Sequence, residues 1–219
     1  MQGEQLHRDS LGNESIVKSG DVQWTTAGRG IIHSEGPTKE FVRRGGTLEG
    51  IQLWLNLPAS KKMMQPNYQH IKSEEFGVVS SDDGRINIKV IAGNLNDTSG
   101  GIITQTNVNA FMIDATKDGE FEIPYSSRQQ GLLYLLSGKV TINDVESLEL
   151  DKNQLMEFHQ DGDGFSIKAD GDSKLLFISG EPLKETVASY GPYVMNSQTE
   201  LLEAMRDFQM GKMGFLPRN

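Results

Sequence analysis

No cysteine occurs among the 219 residues, which excludes disulfides, thiolate metal sites and cysteine nucleophiles. Positive charge is scarce: 21 Lys and Arg stand against 30 Asp and Glu, leaving a net charge of −9. That balance argues against a phosphate-backbone footprint, and so against direct nucleic-acid binding. Long apolar runs are missing too, and no segment approaches the length needed to cross a membrane. The opening Met-Gln-Gly-Glu-Gln lacks the basic-then-apolar pattern of a secretory signal, so a cytoplasmic location is expected. What the chain does have is glycine, 24 of them, placed between short segments as in a protein of many strands and turns.

Period-two alternation marks those strands. It runs over Arg85–Ile91 after the Asp83-Gly84 turn and over Val140 and Ile142; Glu14–Lys18, Val22–Trp24 and Glu120–Pro124 after Asp118-Gly119 are further β-patterned segments, and Leu132–Leu136 is a buried-strand run. Glu49-Gly-Ile-Gln-Leu-Trp-Leu-Asn-Leu57 reads as another strand, with Ile51, Leu53, Leu55 and Leu57 on one face and Trp54 on the other. Only the end looks helical. Ser197-Gln-Thr-Glu200 is a capping-box pattern, followed by an apolar stripe of Leu201, Leu202, Met205 and Phe208 and a stop at Gly211. The stripe is expected to pack the helix onto a barrel. A loose internal repeat pairs Gly138-Lys-Val-Thr-Ile-Asn143 with Gly3-Glu-Gln-Leu-His-Arg8, and Leu150–Phe158 with Val17–Thr25. With Gly30 set on Gly164, His33 falls on Ile167 and Glu35 on Ala169, so only the first half keeps polar residues there.

His33 and Glu35 are two apart, and on a strand they would point to the same face. An imidazole and a carboxylate converging inside a barrel suit a divalent metal of intermediate hardness, such as non-haem Fe(II). The longer string Gly20-Asp-Val-Gln-Trp-Thr-Thr-Ala-Gly-Arg-Gly-Ile-Ile-His-Ser-Glu35 resembles the second half of the metal-binding motif of the pirin family of bicupin proteins. The resemblance continues through His7-Arg-Asp-Ser-Leu-Gly-Asn13, Leu53-Trp-Leu-Asn-Leu-Pro58, Gly180-Glu-Pro-Leu-Lys-Glu185 and Tyr190-Gly-Pro-Tyr-Val-Met-Asn196, and so spans essentially the whole chain.

The resemblance implies an all-β protein: two tandem cupin barrels of the double-stranded β-helix, or jelly-roll, type, the first incomplete, with a C-terminal α-helix. The N-terminal cupin domain would occupy residues 1–70 and the C-terminal one, with the helix, residues 71–219. It implies metal in the first barrel only, with His33 and Glu35 as two of four Fe(II) ligands and Glu35 as a possible base. It also implies quercetin 2,3-dioxygenase-type activity on a flavonol-like or enolic aromatic, or a regulatory role through a protein partner. The family's other two ligands form a His-x-His pair upstream of a glycine matched by Gly3, so their strand would lie before Met1. Little turnover is therefore expected of the chain as written, and a partner or a second copy could complete the open barrel edge. His7, His70 (in a linker-like region) and His159 are expected to be surface or structural histidines rather than replacement ligands.

Overall fold

The computed structural model describes residues 2–149 and 154–216. The chain divides into two compact units, residues 1–74 with 183–219, and residues 75–182. The expected boundary at 70/71 thus falls at 74/75, and residues 183–219, with the C-terminal helix, group with the first unit rather than the second.

In the first unit Gly3, at φ +91°, turns the chain into β1 (Glu4–Asp9). β1 pairs antiparallel on one side with β2 (Glu14–Lys18) and on the other with β4 (His33–Pro37), giving the order β2-β1-β4. β3 (Val22–Thr26) pairs with β5 (Asn67–Ile71) in a second, two-stranded sheet. Gly28 and Gly30, both at positive φ, turn the chain between β3 and β4. Ile31 and Ile32 remain outside the strand, which begins at His33.

Two short helices, α1 (Lys39–Arg44) and α2 (Ala59–Lys62), lie between β4 and β5. The strand expected over Glu49–Leu57 does not form; Glu49 makes an isolated bridge to Gln2 and the rest is irregular. Leu53, Trp54 and Leu55 are exposed at 55%, 65% and 49%. The alternating pattern is present, but a strand also needs neighbours to take its backbone N–H and C=O groups. Among the described residues the first unit's three sheets place none beside it.

The second unit builds the same kind of ladder in full. Its strands are β6 (Val78–Ser80), β7 (Ile86–Ala92), β8 (Asn94–Leu95), β9 (Thr98–Ser99), β10 (Val108–Ala115), β11 (Glu120–Pro124), β12 (Gln130–Ser137), β13 (Lys139–Ile142), β14 (Glu146–Glu149), β15 (Leu155–Glu157), β16 (Gly164–Ala169) and β17 (Ser173–Gly180). A six-stranded sheet, β15-β12-β17-β10-β7-β6, and a four-stranded sheet, β11-β16-β13-β14, contribute to one core. That core includes Ile86, Phe111, Ile123, Leu133, Leu135, Ile167 and Phe177, which come from alternate positions of both sheets in a jelly roll. The fold is all-β, with a complete second barrel and an incomplete first.

The hairpin β18 (Ala188–Tyr190) and β19 (Tyr193–Met195) carries α3 (Gln198–Gln209). Ser197 caps α3 as its sequence predicts, its Oγ accepting from the Glu200 N–H at 3.3 Å. The apolar stripe is less buried than expected: Leu201 is covered, but Leu202 and Phe208 are exposed. Among the described residues no helix is long and apolar enough to cross a membrane.

Candidate metal centre

The β1–β4 register decides the site. It sets His7 directly opposite Glu35 and Asp9 opposite His33. Because residues two apart on a strand share a face, these four polar side chains form one patch across two paired strands. Burial is graded across it: the His7 and Asp9 side chains are fully buried, while Glu35 is 21% and His33 41% exposed.

Glu35 Oε1 is the meeting point. His7 Nδ1 lies 3.4 Å from it, His33 Nδ1 3.3 Å, and the Gln23 side-chain amide of β3 donates to it at 2.6 Å. One ligand atom from each of His7, His33 and Glu35 lies within 4.8 Å of the others. Two imidazoles and one carboxylate make the donor set of non-haem Fe(II) centres, so the residues fit a divalent ion of that kind.

Behind this patch stands a second layer. Asp9 Oδ1 accepts from the Leu11 and Asn13 backbone N–H groups at 2.9 and 3.0 Å. Its Oδ2 accepts from Asn13 Nδ2 at 2.8 Å and faces His7 Nε2 at 3.2 Å. Burial works to raise the Asp9 pKa, but the bonds from Asn13, His7 and Leu11 together outweigh it and hold the carboxyl below its ordinary range. The Tyr68 ring of β5 stacks on His7, centroids 4.0 Å apart and planes at 6°. Its hydroxyl shares a hydrogen bond with Ser15 Oγ at 2.6 Å and donates to Gln23 Oε1 at 3.4 Å. Burial raises the Tyr68 pKa, partly offset by the Ser15 bond and reinforced by the nearby Glu35 and Asp9 carboxylates, so the phenol stays neutral.

His33 and Glu35 are thus brought together, and His7, set aside in sequence, joins them from the buried side. A signal was available: His7-x-Asp9 repeats the two-residue spacing of His33-x-Glu35. His70 does not lie in a linker; it sits in β5, with Nε2 3.0 Å from Asp21 Oδ2. His159 is exposed and takes no part. In the second unit the matching ladder is aliphatic, Val140 opposite Ala169 and Ile142 opposite Ile167, all 1% exposed or less.

Two jelly-roll units in tandem, one with a histidine–carboxylate ladder and one with an apolar core, define the chain as a bicupin. Residues 1–55 match the family profile described as Pirin, and residues 110–214 that of the Pirin C-terminal cupin domain. Human pirin is 34% identical over 220 residues, covering 97% of this chain and 72% of its own. A pirin-like protein from tomato is 31% identical over 217 residues, 98% of this chain and 72% of its own. The protein belongs to the pirin family. Among solved structures, a quercetin 2,3-dioxygenase from Acinetobacter baumannii superposes with a TM-score of 0.90 at 36% identity, over 97% of this chain and 73% of that one.

Proposed function

We propose that the first unit is a metal-dependent oxygenase of the quercetin 2,3-dioxygenase type, with His33 and Glu35 holding Fe(II) or another divalent ion. The observation that carries this reading is the convergence of imidazole nitrogens on Glu35 Oε1, within a 4.8 Å cluster. The likeness to the Acinetobacter quercetin 2,3-dioxygenase supports a flavonol-like enolic aromatic as the substrate class. An ion bound there would supply a Lewis-acidic, redox-active centre with positions open to dioxygen or an enolate oxygen.

The chain's own residues divide the remaining work. The graded burial leaves His33 and Glu35 facing outward, where substrate arrives, and keeps His7 and Asp9 behind. Gln23 fixes Glu35 through Oε1, and none of the contacts above uses Oε2. Oε2 is then the oxygen that takes the proton of a substrate enol, with Glu35 as base. Ser15 and Tyr68 hold the His7 ring against rotation.

The test is anaerobic loading with Fe(II), addition of quercetin and ¹⁸O₂, and mass spectrometry of the product. Two labelled atoms per product, lost in Glu35→Gln and His33→Ala, support the reading. A loaded protein that leaves quercetin and dioxygen unchanged overturns it.

A second reading, a non-catalytic module that binds a protein partner or a second copy, draws on the exposed Leu53-Trp54-Leu55 run. Sedimentation velocity of the purified chain addresses the self-association arm. A dimer dispersed by Trp54→Ser supports it, and a monomer at all concentrations removes it.

A further inference from the structure

We infer that the turn following α3, residues 211–215, is a strap that aims His33 at the ion, with Ser10 and Met213 as its positioning residues. The inference rests on the metal-centre reading above and adds what sets the direction of its outermost ligand.

His33 needs support from outside its own strand. β4 begins at His33, with Ile31 and Ile32 outside it, so the residue stands where a ladder is prone to fray. Its side chain is 41% exposed, against a fully buried His7, so packing around the ring does not fix it. Its direction is set by the backbone that carries it.

That backbone is gripped by a segment 203 residues away from Ser10 in sequence. Ser10 follows Asp9, the residue paired with His33. The Ser10 N–H donates to the Ile32 carbonyl at 2.8 Å, and the Ile32 N–H donates to Ser10 Oγ at 3.0 Å, which adds one more rung ahead of His33. The Ser10 hydroxyl has a single proton, and it goes to the Met213 carbonyl at 2.6 Å. The strap's carbonyl therefore decides which way the hydroxyl faces, and leaves its lone pairs for Ile32.

Glycines mark how closely the strap lies. A Cβ on Gly30 would stand 2.5, 2.6 and 2.8 Å from Met213 Cγ, Sδ and Cε, and one on Gly214 2.9 Å from Ser10 Cβ. The strap is braced from α3: the Lys212 N–H donates to the Asp207 carbonyl at 3.0 Å, Lys212 Nζ to Asp207 Oδ1 at 2.6 Å, and the Gly214 N–H to the Gly211 carbonyl at 3.1 Å. On the other flank of the β3–β4 turn, the Arg29 N–H donates to the Met64 carbonyl at 2.9 Å, and a Cβ on Gly28 would stand 2.2 Å from that oxygen. The turn is held at its start, so a shift of the strap passes to His33 instead of being absorbed before it.

The test compares two glycines with the same backbone demand. Gly214 and Gly191 both have positive φ, but a Cβ on Gly191 meets open space. In the whole chain titrated with Co(II) chloride and followed by visible absorption, Gly214→Ala, which pushes Ser10, is expected to weaken binding about 10-fold or more, as loss of support behind a metal ligand does. Gly191→Ala should bind as the parent does. The unmutated protein gives a reading independent of folding. Coupling between two sites is reciprocal, so an ion whose ligand is aimed by the strap must in turn steady the strap. Hydrogen exchange read by mass spectrometry, with saturating Co(II), should slow in peptides covering residues 30–37 and 208–216 alike. Equal Co(II) affinity in Gly214→Ala and Gly191→Ala, or protection confined to residues 30–37, overturns the strap and leaves the centre standing. Unchanged Co(II) affinity in His33→Ala and Glu35→Gln alike overturns the centre, and the strap's role with it.

Discussion

Replacing Asp9 by asparagine separates what that carboxylate does for the fold from what it does for the site. The new amide oxygen can keep the Leu11 and Asn13 backbone bonds, but its NH₂ now faces two donors, Asn13 Nδ2 and His7 Nε2. Each lost charge-assisted bond is worth about 1.5–3 kcal/mol, and rotation of Asn13 or transfer of the His7 proton to Nδ1 restores ordinary bonds of about 1 kcal/mol. The net expectation is a first unit less stable by about 2 kcal/mol at pH 7.

The sign with pH follows from the depressed Asp9 pKa. A folded-state pKa below the unfolded value contributes stability that is present above the unfolded pKa and lost as pH falls through the folded one. The deficit of Asp9→Asn should therefore be constant above about pH 4 and narrow below it. Any acid slope that survives belongs in part to Asp21, whose carboxyl is also held low: burial opposes this, but bonds from Lys18, His70 and Ser73 prevail. Urea unfolding followed by tryptophan fluorescence is the assay, because both tryptophans, Trp24 and Trp54, lie in the first unit. A variant matching the parent at pH 7, or a deficit that does not narrow in acid, would refute the reasoning.

Phe177, fully buried among Phe111, Tyr125, Phe158 and Phe165, should cost about 3–5 kcal/mol when cut to alanine, read as a lowered calorimetric transition. Gly12 and Gly138 both sit at φ +90°, but a Cβ on Gly138 would lie 2.3 Å from the Asp172 carbonyl oxygen while one on Gly12 meets open space. Gly12→Ala should cost only the backbone strain of about 1–2 kcal/mol, and Gly138→Ala clearly more, by urea unfolding. Ser197→Ala removes the α3 cap and should cost about 1 kcal/mol without touching oxygen chemistry. Divalent ion at about 100 times its Kd should stabilise the first unit by about 2.7 kcal/mol, a rise in the fluorescence-detected melting point on the order of 10 °C that His33→Ala abolishes.

Much of this was legible because alternation and turn chemistry agree. Glu14–Lys18 and Glu120–Pro124 are strands at the residues the pattern marks, and Ser197 caps the helix its box announces. What could not be read is pairing. Ile51–Leu57 has the alternation of a strand and lacks one, since periodicity reports a face to be buried and says nothing of a neighbour to bond. His7 was hidden for the same reason: its distance from Glu35 is 28 residues in sequence and one ladder rung in space. The repeat was seen with its register unresolved. Gly3 on Gly138 places His7 on Ile142, whereas His33 on Ile167 places Asp9 there, because Asp9 pairs with His33 and Ile142 with Ile167. The first four residues of Leu150–Phe158, like Met1, lie outside the described residues.

The two ladders show what a polar seam costs a barrel and what it makes possible. In the second unit Val140, Ile142 and Ile167 are buried where the first has imidazole or carboxylate, and burying such a side chain contributes about 1.5–3 kcal/mol. The first unit gives up that stabilisation and must satisfy every polar atom it buries instead. It does so with an ordered set of partners: backbone N–H groups and Asn13 on Asp9, Asp9 on His7, Gln23 on Glu35. His7 Nδ1 and His33 Nδ1 also approach Glu35 Oε1, at 3.4 and 3.3 Å. A seam kept for packing alone would not need such a set, since aliphatic side chains are compatible with the same ladder in the second unit. The convergence on Glu35 Oε1 therefore supports the ion site proposed above rather than a role in packing.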